Sequence, residues 1–479
     1  MTKTNNLQTN KMGTMPVGKL LFSMATPLVI SMLVQAFYNI VDTYFVSLVS
    51  TDATGALSFA FPIQNLQIGF STGIAVGVNS LLSKSLGEGN RERANQAAGN
   101  GIVLMVIAVS LFMLFGAFGT KFYYGLFNVN ETTREFGISY TSICCIFTLG
   151  LFVEILGERL LQASGKTVFT LFTQGTGAVL NIILDPLFIL GSAGLESRFG
   201  IKLPFYVPAF GVAGAAIATV CGQWTAGIMA VIFNITKNSD VKFGLKYLKP
   251  QGEICKKILS VGVPSIVMMC IGAVMNFCMN QVFLQFTPTH GQTPANVFGI
   301  YFKLQSLFLM PLFGINNACI SILAYNYGAR KPERITGTLK CAFLTDLVIM
   351  LIGVAVFELL PGQLMGIFGS SGDEASKELV KQGISAMRIV CLHFPLAAIG
   401  ISLGASFQAL GVGIYSTITS LCRQLLALLP IAYLFSFTGN PSMVWWAFPL
   451  AEFVSATVSI ICYRKIYKDK IKPMIGMDN

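Results

Sequence analysis

Apolar residues fall along this chain in long blocks rather than in the two-residue alternation of a half-buried strand. Twelve blocks stand out, at about 20–47, 55–84, 96–125, 136–161, 167–191, 209–235, 255–286, 295–327, 336–368, 379–409, 414–437 and 442–466. A helix that crosses a bilayer needs about 20 mostly apolar residues. Lipid admits only helices and closed barrels as spanning structures, and these blocks are too long and continuous for barrel strands. The pattern predicts an all-α integral membrane protein with twelve transmembrane helices. The first fifteen residues are polar and lack the basic start, short apolar run and small-residue site of a cleavable signal. The first block is therefore expected to remain as a helix.

Composition agrees. The chain is 54% hydrophobic and 11% charged, with a mean hydropathy of +0.68, against about 25% charged in soluble proteins. The net charge of +11 first suggests a nucleic-acid partner, but its placement removes that reading. Of the 32 Lys and Arg, 23 fall in segments on one side of the expected membrane, six on the other and three inside blocks. That asymmetry orients a membrane protein with both termini in the cytoplasm. The eleven cysteines lie mostly inside blocks, as Cys144, Cys145, Cys270, Cys278 and Cys391 do. They form neither a disulfide frame nor a zinc pattern. Two histidines argue against a multi-histidine metal site. No HExxH, no Ser–His pair of note and no phosphate-cradling loop with lysine points to an enzyme.

The chain is duplicated. KLLFSMATP at 19–27 matches KKILSVGVP at 256–264, and Asn39 then falls on Asn276. Segment 61–93 matches 302–334 at a constant offset, and Gln162-Ala163 with Gly165 matches Gln408-Ala409 with Gly411. Each half holds six blocks, so the halves share one orientation and form a parallel repeat. The expected layout is two pseudo-symmetric six-helix bundles around a central cleft. Its parts are a cytoplasmic segment 1–18, an N-lobe 19–235, a basic linker 236–254, a C-lobe 255–467 and a tail 468–479.

Ionisable residues inside the blocks are costly in lipid and so are candidate functional groups. Asp42 shares a helix face with Gln35, Tyr38 and Asn39, which precede it by seven, four and three residues. In the fifth block, Asn181 and Asp185 are four apart. Pro186 cannot donate to the carbonyl of Ile182. Two carboxylates, an amide and a freed carbonyl make an oxygen-rich pocket for Na⁺ or a shared proton, and Thr219 adds a hydroxyl. Capping or helix–helix hydrogen bonding is the plainer alternative for each. Glu154 attracts a cationic substrate, pairs with Arg159 or reaches the headgroups, and Glu158 is expected to be solvated near the interface. The second half differs: Met279 stands at the position of Asp42 and Ile431 at that of Asp185. That half is expected to bury Lys303, Arg388 and Arg423 with Asp346 and Glu452 as partners, or else to use the bases for an anionic group. The expected cleft lining is Gln35, Tyr38, Glu154, Met275, Asn276 and Met279, with Phe308 and Met310 further candidates.

QAFYNIVDTYFV, GEGNRERA, QASGK, NIILDP and GVAGAAIAT occur in this order along 35–219. With the duplicated layout, they resemble the multidrug and toxic compound extrusion (MATE) family over roughly 16–468. The resemblance implies cation-coupled antiport of organic cations and amphipathic drugs by a monomer in a prokaryotic cytoplasmic membrane, with no cofactor beyond H⁺ or Na⁺. It implies that Asp42 and Asp185 carry the coupling ion, with Asn181 and Thr219 nearby and Ala215 joining through its backbone. Some members place acids in helices seven and ten. Here helix seven has none after Glu253, and helix ten carries Arg388 and His393. The rival reading is a flippase for a lipid-linked precursor, which the second-half bases favour.

Overall fold

The computed structural model describes residues 10–127, 129–368 and 374–475. Among them every regular element is helical. The spans are α1 (Val17–Ser47), α2 (Thr51–Gly87), α3 (Arg91–Gly125), α4 (Glu131–Ile146 joined to Leu149–Ala163), α5 (Val168–Phe199), α6 (Val212–Lys237), α7 (Gly252–Leu284), α8 (Thr293–Gly328), α9 (Pro332–Leu359), α10 (Ser376–Ala409), α11 (Ile414–Ser436) and α12 (Pro441–Ile475). Eleven are long and apolar enough to cross a membrane as single helices, and α4 makes the twelfth as two pieces bent by 47°.

The departures from the apolar blocks have local causes. At the α4 break, Trp224 Nε1 donates to the Phe147 carbonyl at 3.1 Å and Gln67 Nε2 to the Cys144 carbonyl at 3.3 Å. Neighbouring helices thus satisfy the carbonyls that the bend releases, which is the condition for irregular backbone at membrane depth. The fifth block stops at 191, where Gly191 turns the backbone to φ 67°; beyond it the helix continues to Phe199. The ninth helix ends at Leu359 and a separate short helix follows from Pro361 to Gly366. α12 runs to Ile475, so part of the expected tail is helical. The first nine residues and the last four lie outside the described residues.

Both described ends reach the same face of the molecule, called here the terminal face. Lys470 Nζ donates to the Leu410 carbonyl at 2.8 Å, and Asn326 Nδ2 to the Met12 carbonyl at 3.1 Å. The expected linker is a packed connection rather than a loose tether. The Tyr247 hydroxyl donates to Glu92 Oε2 at 3.0 Å, and Gln251 N–H donates to Asn100 Oδ1 at 2.7 Å.

The halves meet along the terminal half of the molecule. Leu20, Leu21, Met24 and Leu28 of α1 share a core with Ile315, Ala318 and Ile322 of α8, and Ile254 and Ile258 of α7 share one with Val78 and Leu82 of α2. Small residues permit the approach. A Cβ on Gly87 would overlap the Tyr325 carbonyl, and one on Gly328 the Lys84 carbonyl. Ser80 Oγ donates across the junction to the Gln408 carbonyl at 2.8 Å, and Ser321 Oγ to Asn79 Oδ1 at 3.0 Å. The start of the chain crosses the same junction. Asn10 Nδ2 donates to the Ser164 carbonyl, while Arg334 donates to the carbonyls of Met12 and Met15 at 3.0 and 2.7 Å.

Candidate cation site and central cavity

α5 and α6 press together through glycine. A Cβ on Gly177 would lie 3.0 Å from the Gly222 carbonyl oxygen, and one on Gly222 2.8 Å from that of Gly177. One turn from this contact Asn181 Nδ2 reaches both Asp185 Oδ1, at 3.2 Å, and Thr219 Oγ1, at 3.5 Å. One turn beyond Asp42 and Asp185, Val46 of α1 and Ile189 of α5 belong to one buried core, so the two helices come together here. Ala215 is fully buried in the core that joins α1, α4 and α6. Asp42 Oδ1, Asn181 Oδ1 and Asp185 Oδ2 are buried acceptors without a donor. Buried polar atoms are rarely left unpaired. Asp185 takes one donor from Asn181, while Asp42 Oδ1 and Asp185 Oδ2 take none, and the all-oxygen set fits a proton or a hard cation such as Na⁺. The described residues hold no group of three or more His, Cys, Asp or Glu of metal-binding geometry, so amide and hydroxyl oxygens would have to complete any Na⁺ shell.

Asn39 does not join this group and is exposed. Successive helical residues turn by roughly 100°. Tyr38 lies roughly 40° to one side of Asp42 and Gln35 roughly 20° to the other, while Asn39 stands roughly 60° away.

Between the lobes lies a cavity of about 610 Å³, within the range of drug-sized sites. Gln35, Tyr38, Glu154, Met275 and Asn276 line it. Asn181 and Thr219 line it too, so the oxygen cluster and the cavity share two residues. Met279 does not reach it. It is fully buried with Phe283, Phe298 and Met350 in the C-lobe core, and Phe308 packs against that core. The C-lobe thus fills with apolar side chains the place that the N-lobe gives to Asp42.

Several other expectations change. Glu158 is buried rather than solvated and accepts hydrogen bonds from Thr173 Oγ1 at 2.7 Å and Gln174 Nε2 at 3.0 Å. Arg159 donates to Gln162 Oε1 at 3.0 Å, and Glu154 stays at the cavity wall. Lys303 is exposed. Arg388 is more than half exposed and stands 3.9 Å from Glu358. Asp346 accepts from Ser402 Oγ at 2.6 Å rather than from a base. Arg423 does meet Glu452, at 3.6 Å.

Sequence reasoning passed over Gln174, Gln223, Asn316, Asn317 and Gln424, all of which line the cavity. A signal was present for Gln174: Thr170, Gln174, Ala178 and Asn181 form one stripe at helical spacing, and all four line the cavity.

A family model described as MatE matches residues 27–187 and 264–434, once in each lobe. The chain is 24% identical over 450 residues to an FAD transporter of Shewanella oneidensis, covering 94% of each protein. It is 22% identical to the multidrug export protein MepA of Staphylococcus haemolyticus, covering 92% of each. Among solved structures, a MATE transporter in complex with MaL6 superposes with a TM-score of 0.87 at 24% identity, covering 97% of this chain and 99% of that one. An outward-facing multidrug resistance MATE transporter superposes at 0.86. With two matched halves, twelve spans and the shared architecture, this chain belongs to the MATE family of efflux transporters.

Proposed function

We propose that this protein is a secondary active exporter that exchanges external H⁺ or Na⁺ for organic cations and amphipathic drugs. The observation that carries this reading is the sharing of Asn181 and Thr219 between the oxygen cluster and the cavity. A cation that draws Asn181 toward Asp42 and Asp185 alters a wall the substrate touches, so the two ligands compete. Apolar Met268, Met269 and Met275, lining the same cavity as Glu154, suit a flat apolar cation, since flexible thioethers adapt to many shapes. The junction on the terminal half supports a state closed toward the cytoplasm, with both termini inside. Parting that junction gives the opposite state, and the protein acts as a carrier rather than as an enzyme.

Purified protein in proteoliposomes, loaded with ethidium, tests this with pH and sodium gradients imposed separately. One gradient accelerates ethidium export and dissipation of that gradient abolishes it. Export indifferent to both gradients refutes antiport. Ethidium left untouched while a polyprenyl-phosphate lipid crosses the bilayer establishes the flippase reading instead.

A further inference from the structure

The two walls of the cavity carry different charge. The N-lobe wall holds Glu154, Glu158 and Arg159, so carboxylates outnumber bases there. On the C-lobe wall Arg423 is the one ionisable side chain among the lining residues. Its side chain is 36% exposed, whereas that of Glu452 behind it is 6% exposed. A nitrogen of the guanidinium stands 3.6 Å from Glu452 Oε2, beyond the ordinary hydrogen-bond range of about 2.7–3.2 Å. Arg favours closing its planar fork on both oxygens of an oxyanion. Here Glu452 Oε1 receives no donor at all, so the fork is not spent on Glu452.

A buried histidine stands behind Glu452 without a hydrogen bond to it. His393 Nδ1 lies 4.0 Å from Glu452 Oε2. The other ring nitrogen, Nε2, faces the Tyr301 hydroxyl at 2.9 Å and Gln305 Nε2 at 3.3 Å. An amide nitrogen only donates. With Gln305 donating, His393 Nε2 accepts, and Nδ1 has no hydrogen-bond partner. The helix is also irregular at this point: Cys422–Leu428 is a stretch of π-helix just before Pro430. Wide turns of this kind recur at functional sites, and this one turns both Arg423 and Gln424 to the cavity.

We propose that Arg423 is the anion-recognising residue of the cavity. Its open side takes a carboxylate or phosphate oxygen on the exported molecule, while the N-lobe carboxylates face that molecule's cationic or polar end. Glu452 is a positioning residue that holds the guanidinium at the wall and competes weakly for it. This rests on the export reading above and narrows its substrate class to molecules that carry an oxyanion as well as an apolar body.

The test measures binding to the full-length purified protein with two matched pairs of fluorescent ligands. One pair is a rhodamine with a free carboxylate and its methyl ester. The other is riboflavin phosphate and riboflavin. In Arg423→Gln, the acid of a recognised pair weakens by about tenfold or more, the loss expected for a hydrogen-bonded charge contact, while its mate without the oxyanion stays within about twofold. Loss in the first pair alone assigns a carboxylate site, in the second alone a phosphate site, and in both a general oxyanion site. Glu452→Gln supplies a second reading that keeps the arginine: removing the competing carboxylate tightens the acids relative to their mates. Equal shifts within both pairs in both variants overturn the subsite and leave the export reading standing. Failure of the wild type to bind any of the four ligands overturns the subsite and counts against the export reading as well.

Discussion

The amide of Asn181 donates to Asp185 Oδ1 at 3.2 Å, and this single bond leaves Asp185 Oδ2 and Asn181 Oδ1 without donors in the protein interior. A buried carboxylate so lightly satisfied requires positive charge from elsewhere. Asn181→Ala removes both the bond and an oxygen that faces the site. The ion concentration needed for half-maximal export is expected to rise by about tenfold or more, in line with the loss of a hydrogen bond to a charged group. A concentration series of the coupling ion measures it, and an unchanged midpoint excludes Asn181 from the site.

Asp42→Asn and Asp185→Asn each keep the shape and remove the charge. Either variant is expected to insert normally, to bind ethidium and to lose gradient-driven export. If H⁺ is the coupling ion, raising the external pH at fixed internal pH slows wild-type export, because the inward proton gradient shrinks. The variants show no such dependence. Full export by the double variant would falsify the assignment.

At the junction, Gly87→Ala places a Cβ where the Tyr325 carbonyl lies. Backbone cannot yield as a flexible side chain does, so the lobes part at the terminal face. Distances between spin labels on the terminal ends of α2 and α8 are expected to lengthen relative to wild type. An unchanged distance distribution means that the helices slide rather than separate.

Arg334 ties the start of the chain to the C-lobe through the Met12 and Met15 carbonyls and Asn326 Oδ1. Arg334→Ala removes contacts of a charged donor worth about 1.5–3 kcal/mol each before solvent screening. The state closed at the terminal face is expected to lose population. A thiol introduced on the cavity wall then reacts faster with a reagent applied from the cytoplasmic side, and an unaltered rate assigns the contact to local packing alone.

Met279 fills the C-lobe core at the position equivalent to Asp42. Met279→Ala opens a cavity in a dry region, at a cost of about 2–5 kcal/mol. The thermal midpoint of the purified protein is expected to fall by several degrees, while coupling at low temperature persists because the proposed ion site lies in the other lobe. Loss of coupling without loss of stability would place Met279 in the transport path.

The sequence by itself determined the solvent, the number of spans, the duplication and the acids Asp42 and Asp185. These are local properties: block length sets whether a helix crosses lipid, matched segments record a repeat, and a charge inside a block is conspicuous wherever it packs. Tertiary structure alone decided which polar residues converge. Asn39 and Tyr38 are neighbours in the chain, yet a rotation of roughly 100° between them sends one outward and the other to the cavity. Glu158 looked interfacial until Thr173 and Gln174 of the next helix enclosed it. Arg423 looked like half of a closed ion pair until the 3.6 Å gap to Glu452 and its exposed flank were in view. Convergence depends on how closely and at what rotation helices pack, and contacts such as Gly177 against Gly222 set that between segments distant in sequence.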